Sequence, residues 1–459
     1  MDMNFRAVMA IWVCKGLRFG SRVMHRGGTA MPGKAAQKLC PDLLSRLSKN
    51  VTTVAVTGTN GKTTCSRMIE EAFREAGYSY FANRSGANLM SGVVTEFVMN
   101  ADIFGRIKKQ YAVIECDEAA ARTVFGQLRP SVIVVTNLFR DQLDRYGEIT
   151  HTLSNIREGI RSVPEAVLCL NADCSLTASL KDDGLKNRIV WYGLDVGAAQ
   201  PEKTTLLSDA SHCIRCKTEY TYDYHTYAHL GGFRCPKCGY HRPETDFAVE
   251  KILSTDDGSS EVLFRDPAGE IRLKVNLPAI YNLYNAAAAA SAAETIGIPS
   301  EVCRHALSEF ACGFGRMEIF PLAGGTRMIL VKNPAGCTQA MEYLAGIDKD
   351  YALVVCLNDR SADGTDVSWI WDAGFEQLEP LKDRIRKLYV SGDRAQDMRV
   401  RLKYAGLPDE RITVQTDMGA LVETLKQETL PVYILPTYTA MLALRGEIVR
   451  RCGGAEFWE

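Results

Sequence analysis

The sequence predicts an α/β protein with two parallel-rich sheets and a small cysteine-rich insertion in the first of them. Three observations carry this. β-Branched runs alternate with helical stretches along most of the chain, the rhythm of a parallel sheet wrapped on both faces. A Gly-Lys-Thr loop joins the first strong strand to the first strong helix of that rhythm. Between about residues 207 and 243, cysteine, tyrosine and glycine replace it. The 459 residues suffice for two to four domains at roughly 150 residues each. Lys plus Arg number 54 and Asp plus Glu 55, a net charge of −1, so no nucleic-acid partner is expected. No apolar run approaches the ~18 residues that cross a bilayer.

Residues 1–50 read as an N-terminal helical segment. Phe5 to Cys14 is apolar apart from Arg6, and the amphipathic pattern continues through Leu17 and Phe19. Two readings stand: a helix packed on the protein's own surface, or weak membrane contact helped by Arg18, Arg22 and Arg26. No small-residue cleavage site follows, so a secretory signal is not expected.

A central domain spans 51–320. Its strands are expected at Val51–Thr57, Tyr111–Cys116, Ser131–Asn137, Ala166–Asn171 and Arg188–Tyr192, with a helix from Lys62 to about Ala76. Beyond the insertion, strands follow at Glu261–Phe264 and Ile271–Val275, then an Ala-rich helix at Asn282–Ala293. A Rossmann-like α/β domain fills 321–459. Its strands are Met328–Val331, Ala352–Leu357, Leu388–Ser391, Ile412–Gln415 and Val432–Leu435. Most of the fifteen cysteines, such as Cys169 and Cys356, sit singly in apolar runs and read as inert core. The compartment is read as reducing, hence cytoplasmic.

The sharpest motif is Thr57-Gly58-Thr59-Asn60-Gly61-Lys62-Thr63-Thr64. Glycines let the backbone turn its N–H groups inward around phosphate oxygens, and a helix N-terminus adds positive dipole there. Lys62 would reach the β- and γ-phosphates of a nucleotide and the Thr63 hydroxyl would bind Mg²⁺, the alternative being a purely structural turn. The earlier glycine of the general pattern is replaced by Val56. A carboxylate at a strand's carboxyl end suits a metal at such a site, which makes Glu115 the first Mg²⁺ candidate and Glu118 the second, with a solvated acidic loop as the alternative for each.

Cys213-Ile-Arg-Cys216 and Cys235-Pro-Lys-Cys238-Gly239 are two CxxC knuckles 18 residues apart. That spacing is the signature of a Zn²⁺ ribbon, and four thiolates leave no open position, so the zinc would be structural. Disulfides or unligated thiols are the alternative. His212, His225, His229 and His241 are expected on the ribbon surface. In the last domain, Asp359, Asp363 and Asp366 crowd a loop after a strand, either as functional acids or as a solvated loop.

These motifs resemble the Mur ligase family of ATP-dependent, amide-forming peptidoglycan enzymes. TGTNGKTT matches its phosphate loop, and Val113-Ile-Glu115-Cys-Asp117-Glu118 its acidic strand-end motif. Thr136-Asn137 through Asp141-Gln142-Leu-Asp144 is similar to its TN…DHxD motif, with Gln142 in place of histidine. Asn282, in Tyr281-Asn282-Leu-Tyr-Asn285, matches its adenine-side asparagine, and Arg316, in Gly315-Arg316-Met-Glu318, its junction arginine. The departures are informative. Some 50 residues before the loop are too few for a UDP-sugar domain, and Ser154–Gly159 lacks the family's carbamylated lysine. Val331-Lys332-Asn333-Pro334-Ala335-Gly336 alters its C-terminal segment.

Within the family, the ribbon and the Asp359–Asp372 run resemble the MurT-like subunits of lipid II isoglutaminyl synthase. The resemblance implies ATP-dependent amidation of the D-glutamate α-carboxylate of lipid II through an acyl phosphate. Ammonia would come from a GatD-like glutaminase partner, at the inner face of the plasma membrane. It implies for Asp366 the third place in a Cys–His–Asp triad whose other members belong to that partner. An autonomous amino-acid ligase and a non-catalytic zinc-bearing adaptor are the competing expectations.

Overall fold

The structure, a computed structural model, describes residues 3–23, 30–83, 87–140, 149–182, 184–197, 209–256, 258–311, 316–322 and 324–453. Six strands open the first sheet: β1 Thr52–Thr57, β2 Tyr80–Ala82, β3 Tyr111–Glu115, β4 Val132–Val135, β5 Val167–Asn171 and β6 Ile189–Gly197. Strands β7 (Thr221–Tyr227) and β8 (Leu230–Arg234) form a separate antiparallel hairpin. Then β9 Phe247–Thr255, β10 Ser260–Asp266 and β11 Gly269–Val275 complete a nine-stranded sheet of order β11-β10-β9-β6-β5-β4-β1-β3-β2. Pairing is parallel from β2 through β9 and antiparallel at the β9-β10-β11 end.

A strand covered by helices on both faces should be apolar throughout, and all four residues of β4 are buried. The helix Ile280–Thr295 crosses β4, β5, β6 and β9 and also packs on the helix Lys62–Glu75. Every residue from Asn282 to Ala293 is buried, so this helix has no solvent face. Alanine at most of those positions lets both neighbours approach its backbone closely.

The second sheet contains β12 Arg316–Phe320, β13 Thr326–Ile329, β14 Tyr351–Cys356, β15 Ile385–Ser391, β16 Ile412–Val414 and β17 Val432–Pro436. Their order is β12-β13-β17-β14-β15-β16, parallel except for the edge strand β12. Residues 316–320 therefore pair in the second sheet, although the sequence places them before a boundary at 320. Their alternation is too short to show which sheet they join. Strands β2 and β9 were also not expected. The first has three residues, and the second carries Glu250 and Lys251 within its run.

The N-terminal helix Phe5–Val23 packs on the helices Ala30–Leu39 and Met90–Asn100, burying Ala7, Ala10, Ile11 and Cys14. A Cβ on Gly33 would lie 1.8 Å from the Ser91 carbonyl oxygen, so the second helix can approach the third only with glycine there. Burial pushes the Cys169 thiol up to about 11 and the Cys356 thiol to about 12, which keeps both protonated and inert.

One of the four ribbon histidines is not on the surface. His229 is fully buried, 3.5 Å from the Cys174 sulfur through Nε2 and stacked obliquely on Phe139. Burial pushes its imidazole down to about 3, so it is neutral at neutral pH. The residues that cover it come from distant parts of the chain, which is why the polar texture of the ribbon misleads.

The ribbon is tied to the first sheet by ions. Asp173 is fully buried and accepts from Arg242 Nε at 2.5 Å, from the Leu194 N–H at 2.9 Å and from the Tyr284 hydroxyl at 2.5 Å. Arg242 also donates to Asp195 at 2.9 Å. Removing one partner of a buried pair leaves the other charge without compensation, at a cost of about 3–5 kcal/mol. Arg242→Met is accordingly expected to destabilise the fold by about that much, and Arg304→Met, in the helix Ser300–Glu309 where the guanidinium pairs with buried Asp266 at 2.7 Å, by a similar amount. Chemical denaturation of the two variants checks this.

Candidate active site

The phosphate loop leaves β1 and enters the helix Lys62–Glu75, whose first turn has no acidic residue to oppose an anion. Gly58 and Gly61 have φ of 121° and 87°. A Cβ on Gly58 would lie 2.3 Å from the Thr136 hydroxyl, and one on Gly61 would lie 2.1 Å from Asn285 Oδ1. Glycine is thus required twice over, by conformation and by space. Asn137 clamps the loop from β4's end. Its carbonyl accepts the Thr59 N–H at 2.9 Å, its Oδ1 accepts the Asn60 N–H at 2.9 Å, and its Nδ2 donates to the Asn60 carbonyl at 3.1 Å.

Lys62 is buried. Its Nζ donates to the Gly58 carbonyl at 2.5 Å and to Glu118 Oε2 at 3.1 Å. The Thr63 hydroxyl donates to Glu115 Oε2 at 2.7 Å. Asn83 holds the Glu115 backbone from both sides, accepting its N–H and donating to its carbonyl at 2.8 Å each. The two glutamates therefore take different places. Glu115 faces the cleft beside Thr63, where a cation bridging hydroxyl and carboxylate fits. Glu118, buried against the ammonium, holds Lys62.

A cleft of about 320 Å³ runs from this loop to the second sheet. Thr64, Asp117, Asn282 and Asn285 line its first-sheet wall, and Lys332, Asp363 and Tyr438 its second-sheet wall. Asn282 Nδ2 donates to the Pro278 carbonyl at 2.6 Å, leaving its Oδ1 beside Asn285 Nδ2 at 3.4 Å. Asn333 bridges the walls: its Nδ2 donates to Asn60 Oδ1 at 3.0 Å while its Oδ1 caps the helix Pro334–Ala345 through the Gly336 N–H at 2.8 Å. Tyr227, from the ribbon hairpin, also lines the cleft. Its ring sits edge-on to Tyr284, and the Thr226 hydroxyl lies 2.6 Å from the Tyr284 hydroxyl.

Asp117, Lys332 and Tyr227 were not assigned to the site from sequence. The first two lie within motifs already singled out, so their acid and base were a usable signal. Tyr227 lies beyond any local pattern. Arg316 opens β12, but its side chain lies outside the described residues, as do Gly315, Gln142 and Asp144.

The three loop acids separate clearly. Asp359 pairs with Arg394 Nη1 at 3.0 Å. Asp363 is buried, accepts the Thr439 N–H at 2.7 Å and the Thr439 hydroxyl, and has its carboxyl raised by burial. Asp366 is exposed and lies outside the cleft lining. Its Oδ1 accepts the Ser368 N–H at 2.8 Å, which holds the carboxyl below its ordinary range and keeps it ionised.

The ligand sulfurs of Cys213, Cys216, Cys235 and Cys238 all lie within 4.8 Å of one another. Cys213 and Cys238 are 3.6 Å apart and Cys216 and Cys235 3.4 Å, too far for disulfides of about 2.05 Å. A tetrahedral zinc with bonds of about 2.3 Å puts its sulfurs about 3.8 Å apart, close to this spacing. The knuckles turn alike: Lys217 N–H donates to the Cys213 carbonyl and Gly239 N–H to the Cys235 carbonyl, with φ of 63° and 72°. Contacts with the Thr218 hydroxyl and N–H lower the Cys216 thiol, favouring the thiolate a metal needs, while the neighbouring sulfurs push the Cys238 thiol up to about 12. The donor set fits Zn²⁺ and leaves no position for a substrate.

A phosphate loop at the carboxyl edge of a parallel sheet, faced across a cleft by a second α/β sheet, defines a Mur ligase-type architecture. Residues 56–228 match the Mur ligase middle domain. MurF from Acinetobacter baumannii shares the fold with a TM-score of 0.67 at 16% identity, over 92% of this chain and 81% of that one. Residues 330–441 match the MurT ligase C-terminal domain. The lipid II isoglutaminyl synthase (glutamine-hydrolyzing) subunit MurT of Streptococcus pneumoniae is 34% identical over 98% of both chains. That of Staphylococcus aureus strain COL is 31% identical over 97% of this chain and 99% of its own. The chain belongs to the MurT family.

If the cysteine cluster holds zinc, the purified chain should carry about one equivalent, and Cys235→Ser should lose it. Because the hairpin brings Tyr227 to the cleft, the same variant should also bind nucleotide more weakly. Elemental analysis with a nucleotide titration checks both halves.

Proposed function

We propose that this chain is the synthetase subunit of a lipid II isoglutaminyl synthase. It activates the D-glutamate α-carboxylate of the lipid II stem peptide with ATP and aminates it with ammonia made by a GatD-like glutaminase subunit. The observation that carries this is the pairing of Thr63 with Glu115 beside Lys62, at a loop opening into a cleft walled by both sheets. Supporting it is the near-full-length likeness to the MurT relatives. The work is divided between residues 51–311 and 316–453, with the ribbon inserted in the first part.

A carboxylate does not react with ammonia at neutral pH, because hydroxide or oxide would have to leave. Transfer of the γ-phosphoryl group from ATP to the carboxylate gives an acyl phosphate and ADP. Ammonia adds to the carbonyl carbon, and the amide forms as inorganic phosphate leaves. Lys62, released from Glu118 toward phosphate, neutralises charge on the transferring group, and the loop N–H groups cradle it. Thr63 and Glu115 would hold Mg²⁺, which when bound would supply further positive charge at those oxygens. Asn282 and Asn285 offer amide donors and acceptors to a base edge, and by its likeness to the family's junction arginine Arg316 would approach the nucleotide.

Asp366 serves outside its own chain in this reading. An ionised, exposed carboxylate can orient the Nδ1–H of a partner's histidine and stabilise the imidazolium. The turn Ser368–Trp371 that follows it presents Trp371, half exposed and edge-on to the exposed Tyr404. An apolar pair beside the acid gives a glutaminase subunit something to bury. In this reading the lipid-linked acceptor is met at the inner face of the plasma membrane; no described helix is long and apolar enough to cross a membrane.

Lys62→Ala is expected to abolish ATP-dependent amide formation with the fold intact, and near-normal turnover would refute the phosphate-loop assignment. Asp366→Asn should cripple glutamine-driven amidation and be partly rescued by ammonium salts. Absence of rescue would place Asp366 in the synthetase step or the fold. Mass analysis of lipid II incubated with ATP and either nitrogen source reads both.

A further inference from the structure

We infer that the N-terminal helix and the loop Asp102–Arg106 together form a docking surface for an anionic lipid bilayer. Six of the fourteen large apolar side chains exposed among the described residues gather here. Phe5, Met9, Trp12 and Phe19 fall three, four or seven positions apart, which places them on one face of the helix Phe5–Val23. That face is opposite the one formed by Ala7, Ala10, Ile11 and Cys14, which is buried in the protein. Phe5 is 80% exposed and Phe19 71%, so the helix has satisfied its core contacts and still carries an apolar stripe outward.

The loop extends that stripe. Trp12 Nε1 donates to the Ile103 carbonyl at 2.9 Å, and Lys15 Nζ to the Ala101 carbonyl at 2.7 Å. Asp102 fixes the turn by accepting the Phe104 and Arg106 N–H groups at 2.8 and 2.9 Å. Gly105 has a φ of 82°, and a Cβ there would lie 2.3 Å from the terminal methyl of Met3 and 3.1 Å from Ile11. The outcome is a closed turn, seated against the helix, with Ile103 and Phe104 exposed at its tip.

Charge selects the occupant. Residues 3–21 contain Arg6, Lys15 and Arg18 and no acid, and residues 101–110 contain Arg106, Lys108 and Lys109 against Asp102 alone. The whole chain has a net charge of −1, so this basic excess is local. Aromatic and aliphatic side chains on one helical face, flanked by lysine and arginine, are what an interfacial helix presents to acidic headgroups. Tryptophan prefers that headgroup depth. The surface deepens the proposed function, since it would hold the enzyme at the membrane that carries a lipid-linked acceptor.

The test uses the full chain with vesicles of phosphatidylglycerol and phosphatidylcholine, or of phosphatidylcholine alone, without ATP or acceptor. Co-sedimentation is expected with the anionic vesicles, about tenfold weaker with the neutral ones, and declining as salt rises. The combined Phe5→Ser, Trp12→Ser and Phe104→Ser variant should lose about tenfold in vesicle affinity while retaining nucleotide binding as its fold control. Should that variant not fold, Arg106→Glu with Lys108→Glu should weaken anionic-vesicle binding by a similar factor. Equal binding to both vesicle types, no binding to anionic vesicles at low salt, or folded variants that bind like the parent would overturn the inference. So would apolar variants that lose the glutaminase subunit and keep the vesicles, because the stripe would then be a protein interface. None of these outcomes bears on amidation itself, which is read with a soluble acceptor in a separate assay.

Discussion

The site depends on the grip of Asn137 on the phosphate loop. Three hydrogen bonds from one residue hold Thr59 and Asn60 in place. They work because β1 and β4 run parallel and adjacent, so that their carboxyl ends deliver loop and clamp to the same edge. With the backbone held there, Gly58 and Gly61 can take conformations that other residues resist, and the N–H groups stay directed at the place a phosphate would occupy. The Ala-rich helix completes the cradle from the far side, with Asn285 so close to Gly61 that no side chain fits between them.

Around that fixed loop the acids divide their labour by burial and partner. Glu118 is committed to Lys62, Asp359 to Arg394 and Asp363 to Thr439. Glu115 and Asp117 face the cleft and Asp366 faces solvent. The arrangement is compatible with the proposed division, in which a cleft acid holds a cation beside phosphate and an exposed one serves a partner. Asn333 adds a contact between the two walls that depends on their separation, since its amide reaches Asn60 across 273 residues of sequence.

Much of this was legible in the sequence, and the reasons are local. Residues 57–64 are contiguous, so their glycines, lysine and threonine announce a phosphate loop without any tertiary information. The paired CxxC knuckles are equally local, and their four sulfurs converge as expected. Strands such as β4 and β14 are buried along their whole length and read as unbroken apolar runs. What could not be read depends on distant neighbours. His229 looks like a surface histidine until Phe139 and Cys174 are brought against it. Tyr227 reaches the cleft from a hairpin that distant residues hold, Arg242 through Asp173 and Thr226 through Tyr284. The edge strand β12 is assigned to its sheet by pairing with β13, which no pattern inside Arg316–Phe320 discloses.

The central claim is that a phosphoryl group passes from ATP to an oxygen of the acceptor carboxylate before nitrogen arrives. Labelling both oxygens of that carboxylate with oxygen-18 and weighing the released inorganic phosphate tests it directly. The account predicts one labelled oxygen in each phosphate formed per amide. Phosphate that carries no label while the amide accumulates would contradict it.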